Sequence, residues 1–187
     1  MKRPRPPARL FFSLGCAISV GMSLTIRPAT IQDVEPVDGL LSSSYPKQLK
    51  RDYAPSTMVT ALPLISRAQP ALVTCGTYFV LEQGGALCAA GGWTRGAPKG
   101  SAYLPLRGHV RHVVTDYRHT RRGHGRALME HIFRSARTTG IETLEVLSTL
   151  TAEPFYRALG FKGAEAVTVP IGPANLPFQS VRMLRDL

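Results

Sequence analysis

The sequence predicts an α/β domain built on a mixed, partly antiparallel sheet with helices on both faces. Three observations carry that expectation. Apolar runs bounded by turn residues alternate with helix-periodic stretches in the order β-α-α-β-β-β-α-β-α-β-β from residue 24 onward. The β-α-β unit across residues 110–148 needs a right-handed parallel crossover, whereas Gln83-Gly84-Gly85 marks an antiparallel hairpin. Hydrophobic residues make up 44% and charged residues 19% of 187 residues, enough apolar content for one packed core and too much for a disordered chain.

Each element has its own signal. A first strand is expected at residues 24–27. Thr30 with Asp33 three residues on is a near capping box, and Ile31, Val34, Val37, Leu40 and Leu41 then recur at helical spacing. Residues 42–55 are polar and aromatic, and 57–65 read as a second helix strained or ended by Pro63. Strands at 77–81 and 86–94 flank the hairpin turn, and 96–108 is a loop rich in Gly and Pro. A strand at 110–115, a helix at 125–138, a strand at 143–148 and a short helix at 152–159 closed by Gly160 follow. Two last strands are expected at 166–170 and 180–184.

The formal charge of +11 predicts attraction to something anionic. Lys2, Arg3, Arg5 and Arg9 supply four charges before any acid appears, and Arg118, Arg121, Arg122 and Arg126 surround two glycines, which suits a phosphate site better than a diffuse polyanion track. Cys16, Cys75 and Cys88 form no C-x-x-C pair and cannot pair off evenly, so a reducing, cytoplasmic setting is expected and a Cys-ligated metal is not. Residues 1–9 are basic and Pro-rich, and 10–26 carry no charge, a pattern that resembles a signal peptide or short anchor. Small polar residues interrupt the run and no small-x-small cleavage site ends it. Residues 1–21 are therefore read as a loose extension without stable membrane insertion, and 22–187 as the domain.

The chemistry is expected at residues 113–127. Val113-Val114-Thr115 ends a strand, and Arg121-Arg122-Gly123-His124-Gly125-Arg126-Ala127-Leu128 leads into a helix whose inner stripe is Leu128, Ile132, Phe133 and Ala136. Glycines allow close backbone approach, and a helix's first turn presents unpaired N–H groups at its positive end, a natural seat for pyrophosphate. No Gly-Lys-Ser/Thr exists, which excludes a Walker A loop. A dinucleotide fingerprint fits poorly because its third glycine falls on Leu128, although Glu145 stands about 20 residues on, where a ribose acid would be sought.

With these residues in view the chain resembles the GNAT superfamily of acetyl-CoA-dependent N-acetyltransferases, whose signature is a strand end, Arg/Gln-x-x-Gly-x-Gly/Ala and a helix. Gly123-x-Gly125 matches, while Thr120 occupies the position of the Arg or Gln. Thirty residues past Gly125, Phe155-Tyr156-Arg157-Ala158-Leu159-Gly160-Phe161 is similar to the F-Y-x-x-x-G-F segment of the same family. The resemblance implies the acyl-CoA N-acyltransferase fold, with a central mixed sheet flanked by helices. It also implies that CoA lies on the backbone of Val113, Val114 and Thr115 and on the loop Thr120, Arg121, Arg122, Gly123, His124, Gly125, Arg126 and Ala127. It assigns Tyr156 as general acid for the departing CoA thiolate. A phenol of pKa about 10 can assist a thiolate of pKa about 8.5, and a buried hydroxyl needs a polar partner in any case.

An alkylamine acceptor near pKa 10.4 must lose a proton, so a base or water relay is expected. His109 and His112 precede Val113 with opposite strand parity, so at most one of these candidates faces the site. Glu153 is a weaker candidate, and His119 and His124 beside the loop are expected to meet solvent or CoA. No H-x-x-x-H or H-E-x-x-H occurs, so no metal is expected. Tyr45, Tyr53, Trp93 and Tyr103 are candidate linings for the pocket of a small-molecule or peptide amine. A homodimer is compatible with the sequence. Two other readings stand beside the enzyme: a non-catalytic acyl-CoA sensor on the same fold, and a basic nucleic-acid-binding module. The latter is disfavoured because aromatics do not interleave with the arginines.

Overall fold

The computed structural model describes residues 23–99 and 101–187, so the N-terminal extension read at residues 1–21, with Cys16, lies outside the described residues. Seven strands form one sheet in the order β1-β2-β3-β4-β5-β7-β6: β1 Leu24–Pro28, β2 Tyr78–Gln83, β3 Ala86–Thr94, β4 Arg107–Thr115, β5 Thr143–Thr149, β6 Lys162–Ile171 and β7 Leu176–Asp186. All neighbours are antiparallel except β4 and β5. Helices α1 (Val34–Leu49), α2 (Pro55–Thr60), α3 (Leu62–Ile65) and α4 (Pro70–Val73) precede β2, and α5 (His124–Thr138) and α6 (Glu153–Ala158) flank β5 in sequence. The mixed α/β sheet is as the sequence implies. Among the described residues no helix is long and apolar enough to cross a membrane.

Strand alternation divides the core into two layers. Phe79 and Leu81 of β2 turn toward Leu128, Met129, Ile132 and Phe133 of α5, while Tyr78 and Val80 turn toward Val37, Leu40 and Leu41 of α1. The Gln83↔Ala86 hairpin closes through Gly84 and Gly85, both at positive φ (59° and 79°), as a two-residue turn of this hand requires. The Thr30–Asp33 capping box forms. Its carboxylate also takes two 2.8 Å bonds from Arg27, tying β1 to the entry of α1.

Several boundaries differ from the sequence expectation. α1 runs on to Leu49 through the stretch read as polar and aromatic, because its polar residues face protein: Ser44 is fully buried, and Tyr45 and Gln48 donate to carbonyls of β4. The single helix expected at 57–65 is two, parted at Ala61, with Pro63 in the first turn of the second, where its missing N–H costs nothing. β6 and β7 are about twice the expected length. β6 is an edge strand with an exposed Lys-Gly-Ala-Glu start, so hydrophobicity marks only its buried half.

Candidate active site

Two irregularities open the sheet at its centre. β4 and β5 pair only at Arg107↔Thr143, Gly108↔Leu144 and His109↔Glu145, and then diverge. Against β3, Ala90 pairs with Val114 and Gly92 with Arg111, so Gly91 alone faces both His112 and Val113. This is a bulge, and His112 sits at its bend with φ of 44°. Gly91 has to be glycine here, since a Cβ would stand 2.8 Å from the Val113 side chain. The parting leaves a cavity of about 540 Å³ between Val110–Val113 of β4 and Val146–Thr149 of β5. α1 closes one side with Tyr45, Gln48 and Leu49, α6 contributes Tyr156, and α3 and the β6–β7 turn cover the far end. Carbonyls of the bulged strand are taken by side chains: Tyr78 donates to His112 O (3.1 Å), Tyr45 to Val113 O (3.4 Å) and Gln48 to Thr115 O (2.9 Å).

The chain leaves β4 into a loop organised by Asp116, which is 2% exposed. Its carboxylate accepts from the Arg118 backbone N–H (2.9 Å) and from the Arg118 guanidinium, which holds it below the usual carboxylate range, and His119 Nδ1 stands 3.3 Å away. Arg118, grouped with the loop arginines by sequence, is therefore bound to an acid, while Arg121, Arg122 and Arg126 are exposed around the glycines. Gly123, with φ of 85°, starts α5 without any side-chain cap, so the first-turn N–H groups of His124, Gly125 and Arg126 point outward with no intrahelical acceptor. The two glycines serve different ends. Gly123 supplies a left-handed turn, whereas a Cβ on Gly125 would lie 3.2 Å from the Phe155 ring and 3.3 Å from Thr115 Cγ2. That contact packs the start of α5 against α6 and the end of β4.

The sequence candidates separate on this geometry. Tyr156 is 5% exposed and lines the cavity; burial, with Tyr45 nearby, raises its pKa and keeps the phenol protonated. His112 also lines the cavity, and burial beside Arg111 lowers its pKa to about 4. His109 does not reach the cavity. It is fully buried, pairs in register with Glu145, and neither ring nitrogen has a protein partner. Glu153 pairs with Arg157 one turn on. His124 does not expose its ring to solvent: it is buried, and Nε2 stands 3.2 Å from Gln83 Oε1, so its backbone N–H is the part left facing outward. Val114 directs its side chain into the α1 layer, so only its backbone could face a guest, while Thr120 is exposed. Glu145 is no ribose acid: it is 2% exposed, bonded to Arg107 (3.0 Å) and to Ser101.

Of the four aromatic candidates for the acceptor pocket, Tyr45 lines the cavity. Trp93 is core and donates to Ser135 Oγ, Tyr53 bridges Gln179 O and the Leu150 N–H, and Tyr103 lies exposed on the loop before β4. Sequence reasoning missed Gln48, Lys99, Arg111 and Ser148, all of which line the cavity. Strand parity could not have found Arg111, because the bulge at His112 turns consecutive residues 110–113 toward the cavity.

The sequence of residues 74–163 matches the acetyltransferase (GNAT) domain family. No curated protein matches the chain. Among solved structures, a GCN5-related N-acetyltransferase from Rhodopseudomonas palustris superposes with a TM-score of 0.68 at 16% identity, covering 89% of this chain and 98% of that one. The PaiA N-acetyltransferase of Thermoplasma acidophilum, solved in complex with coenzyme A, gives 0.66 at 12% identity, covering 89% and 100%. The ribosomal-protein-S18-alanine N-acetyltransferase of Escherichia coli gives 0.58 at 17%, covering 88% and 94%. The matched region contains the bulged strand, the uncapped helix and Tyr156, and the sheet around it has the order and the split seen above; residues 74–163 thus carry the features of a GNAT acetyltransferase domain, and the chain shares the fold of these N-acetyltransferases.

Proposed function

We propose that this chain transfers the acetyl group of acetyl-CoA directly to a primary amine. The observation that carries the reading is a split sheet followed in the chain by an uncapped helix start: β4 parts from β5 to leave the cavity, and the loop that leaves the end of β4 delivers the free N–H groups of His124, Gly125 and Arg126. Those donors, with Arg121, Arg122 and Arg126 exposed around them, suit a diphosphate, and the apolar walls Val110, Val113 and Val146 suit the carrier's uncharged arm. The coenzyme A complex of the Thermoplasma structure supports the same choice of carrier.

In the reaction the N–C bond forms as the C–S bond breaks, the amine gives up one proton and the thiolate gains one. Tyr156 is the proposed donor to sulfur. Burial that raises a phenol's pKa also raises that of a thiol, so the pair stays matched inside the cavity. His112 is the proposed acceptor on the amine side. With a pKa near 4 it carries no proton at neutral pH, so it can accept a hydrogen bond from a water that relays the amine proton to solvent. No feature of Cys75 or Cys88 favours a covalent acyl-cysteine, since Cys75 is exposed beside Thr77 and Cys88 is buried in the core.

Calorimetry with acetyl-CoA, followed by mass analysis of an amine panel incubated with the protein and acetyl-CoA, tests the proposal. Heat of binding and an acetylated amine are expected. Absence of binding at millimolar acetyl-CoA overturns it, and binding with no product from any amine favours the acyl-CoA sensor.

A further inference from the structure

Most arginines of the folded interior are bound to acids, and of the two that are not, one faces the cavity. Arg27 binds Asp33 and Glu82, Arg107 binds Glu145, Arg118 binds Asp116, and Arg182 reaches Glu145 and Glu165. Arg185 lies over the Phe133 ring at 3.8 Å and donates to Leu159 O. Arg111, partly buried on β4, donates 3.2 Å to the Thr94 hydroxyl, forms no ion pair among the described residues, and faces the cavity. Lys99 stands on the same cavity wall, bonded among the described residues to a neutral amide, Asn175 Oδ1 at 3.5 Å. No Asp or Glu is among the described residues lining the cavity; Thr151 on its wall donates to Asp52, which is not part of that lining. Burial lowers the guanidinium's pKa, as expected where a cation has lost water without gaining an anion.

We infer that the acceptor is a small amine carrying a carboxylate, and that Arg111, with Lys99 at the rim, binds that carboxylate and thereby sets specificity. This rests on the acetyltransferase reading and narrows it. A planar guanidinium fork matches a carboxylate with two parallel hydrogen bonds, and a cationic cavity without acids repels polyamines and aminoglycosides. Size follows from the roof. The β6–β7 turn meets α3 so closely that a Cβ on Gly172 would stand 2.7 Å from Leu64 Cδ1, and Lys99 reaches across to Asn175 in that turn. Three elements meet over the acceptor end, which suits a free amino acid and not an extended peptide.

The test uses the full chain with acetyl-CoA and free L-amino acids, each paired with its α-carboxamide. For the best substrate kcat/KM should favour the carboxylate by about tenfold or more, and Arg111→Gln should bring that ratio close to one while Arg111→Lys restores part of it. Comparing ratios cancels the different basicities of the two amines. Should Arg111→Gln fail to fold, Lys99→Gln is expected to reduce the same ratio by a smaller factor. The inference is overturned if carboxamides react as well as carboxylates, if the preference survives both substitutions, if a peptide N-terminus outperforms every free amino acid, or if acetyl-CoA binds yet no carboxylate-bearing amine is acetylated. Failure of acetyl-CoA to bind instead removes the acetyltransferase reading itself.

Discussion

At the scale of single residues, the cavity holds a phenol that keeps its proton and an imidazole that does not, each set by burial. Tyr156→Phe removes the proposed donor to sulfur but keeps the ring contacts with Phe155 and Phe161. It should lower kcat by about a hundredfold, within the range for a positioned acid, and leave the dissociation constant for acetyl-CoA nearly unchanged. Stopped assays with binding measured by calorimetry separate the two, and unchanged kcat would remove the role. The two histidine candidates of β4 invite a paired comparison. His109 has both ring nitrogens unpartnered inside the sheet, so His109→Leu loses no hydrogen bond and should be neutral or more stable by about 1 kcal/mol, with turnover retained. His112→Asn, inside the cavity, should slow transfer without that gain. Loss of turnover in His109→Leu would restore it as a catalytic candidate.

At the scale of elements, the site depends on where α5 begins relative to the end of β4. Gly123 and Gly125 were both readable as a loop motif, but their reasons were not, because backbone sign and interhelix packing are tertiary facts. Gly123→Ala forces a Cβ into a left-handed turn at a cost of about 1–2 kcal/mol, and leaves the space beside it open. Gly125→Ala presses on Phe155 and Thr115, moving the first turn of α5 against β4. The first should lower the melting temperature while the second weakens acetyl-CoA binding about tenfold or more, a contrast visible by thermal unfolding beside calorimetry; equal loss of affinity in both would mean that loop strain alone sets the site. The polar stripe of α1 shows why other parts were illegible. Residues 42–55 read only as polar and aromatic, and the helix through Tyr45 and Gln48 was not visible, because hydropathy cannot know that β4, parted from β5, offers carbonyls to them. Trp93 was misread for the opposite reason: a conspicuous aromatic on a Gly-flanked strand looks like a binding residue, and its indole N–H finds Ser135 in the core.

At the scale of the whole molecule, the order of strands along the chain and the two motif loops were legible because local periodicity and turn chemistry specify them, whereas the insertion of β7 between β5 and β6 and the burial of titratable groups were not. His109, His112, His124 and His131 all have pKa values lowered by desolvation, and none of the four advertises this by sequence. Their sum sets the acid limb of stability. A buried histidine that stays neutral in the fold but protonates near pH 6.5 when unfolded draws the chain toward the unfolded state as pH falls. For His112 the window runs from about 6.5 down to about 4, and the loss over it is about 3 kcal/mol. The carboxylates oppose nothing here, because Asp33 and Asp116 are held low by Arg27 and Arg118, so their contribution persists above the unfolded carboxylate range and is lost only below it. Urea unfolding at successive pH values should therefore show stability falling steeply from pH 6.5 to 4.5, with His112→Asn flattening the slope by close to one proton. A profile that stays level across that interval would mean that water reaches these rings in the folded chain, and that the cavity around His112 is wetter than acetyl transfer to a relayed amine requires.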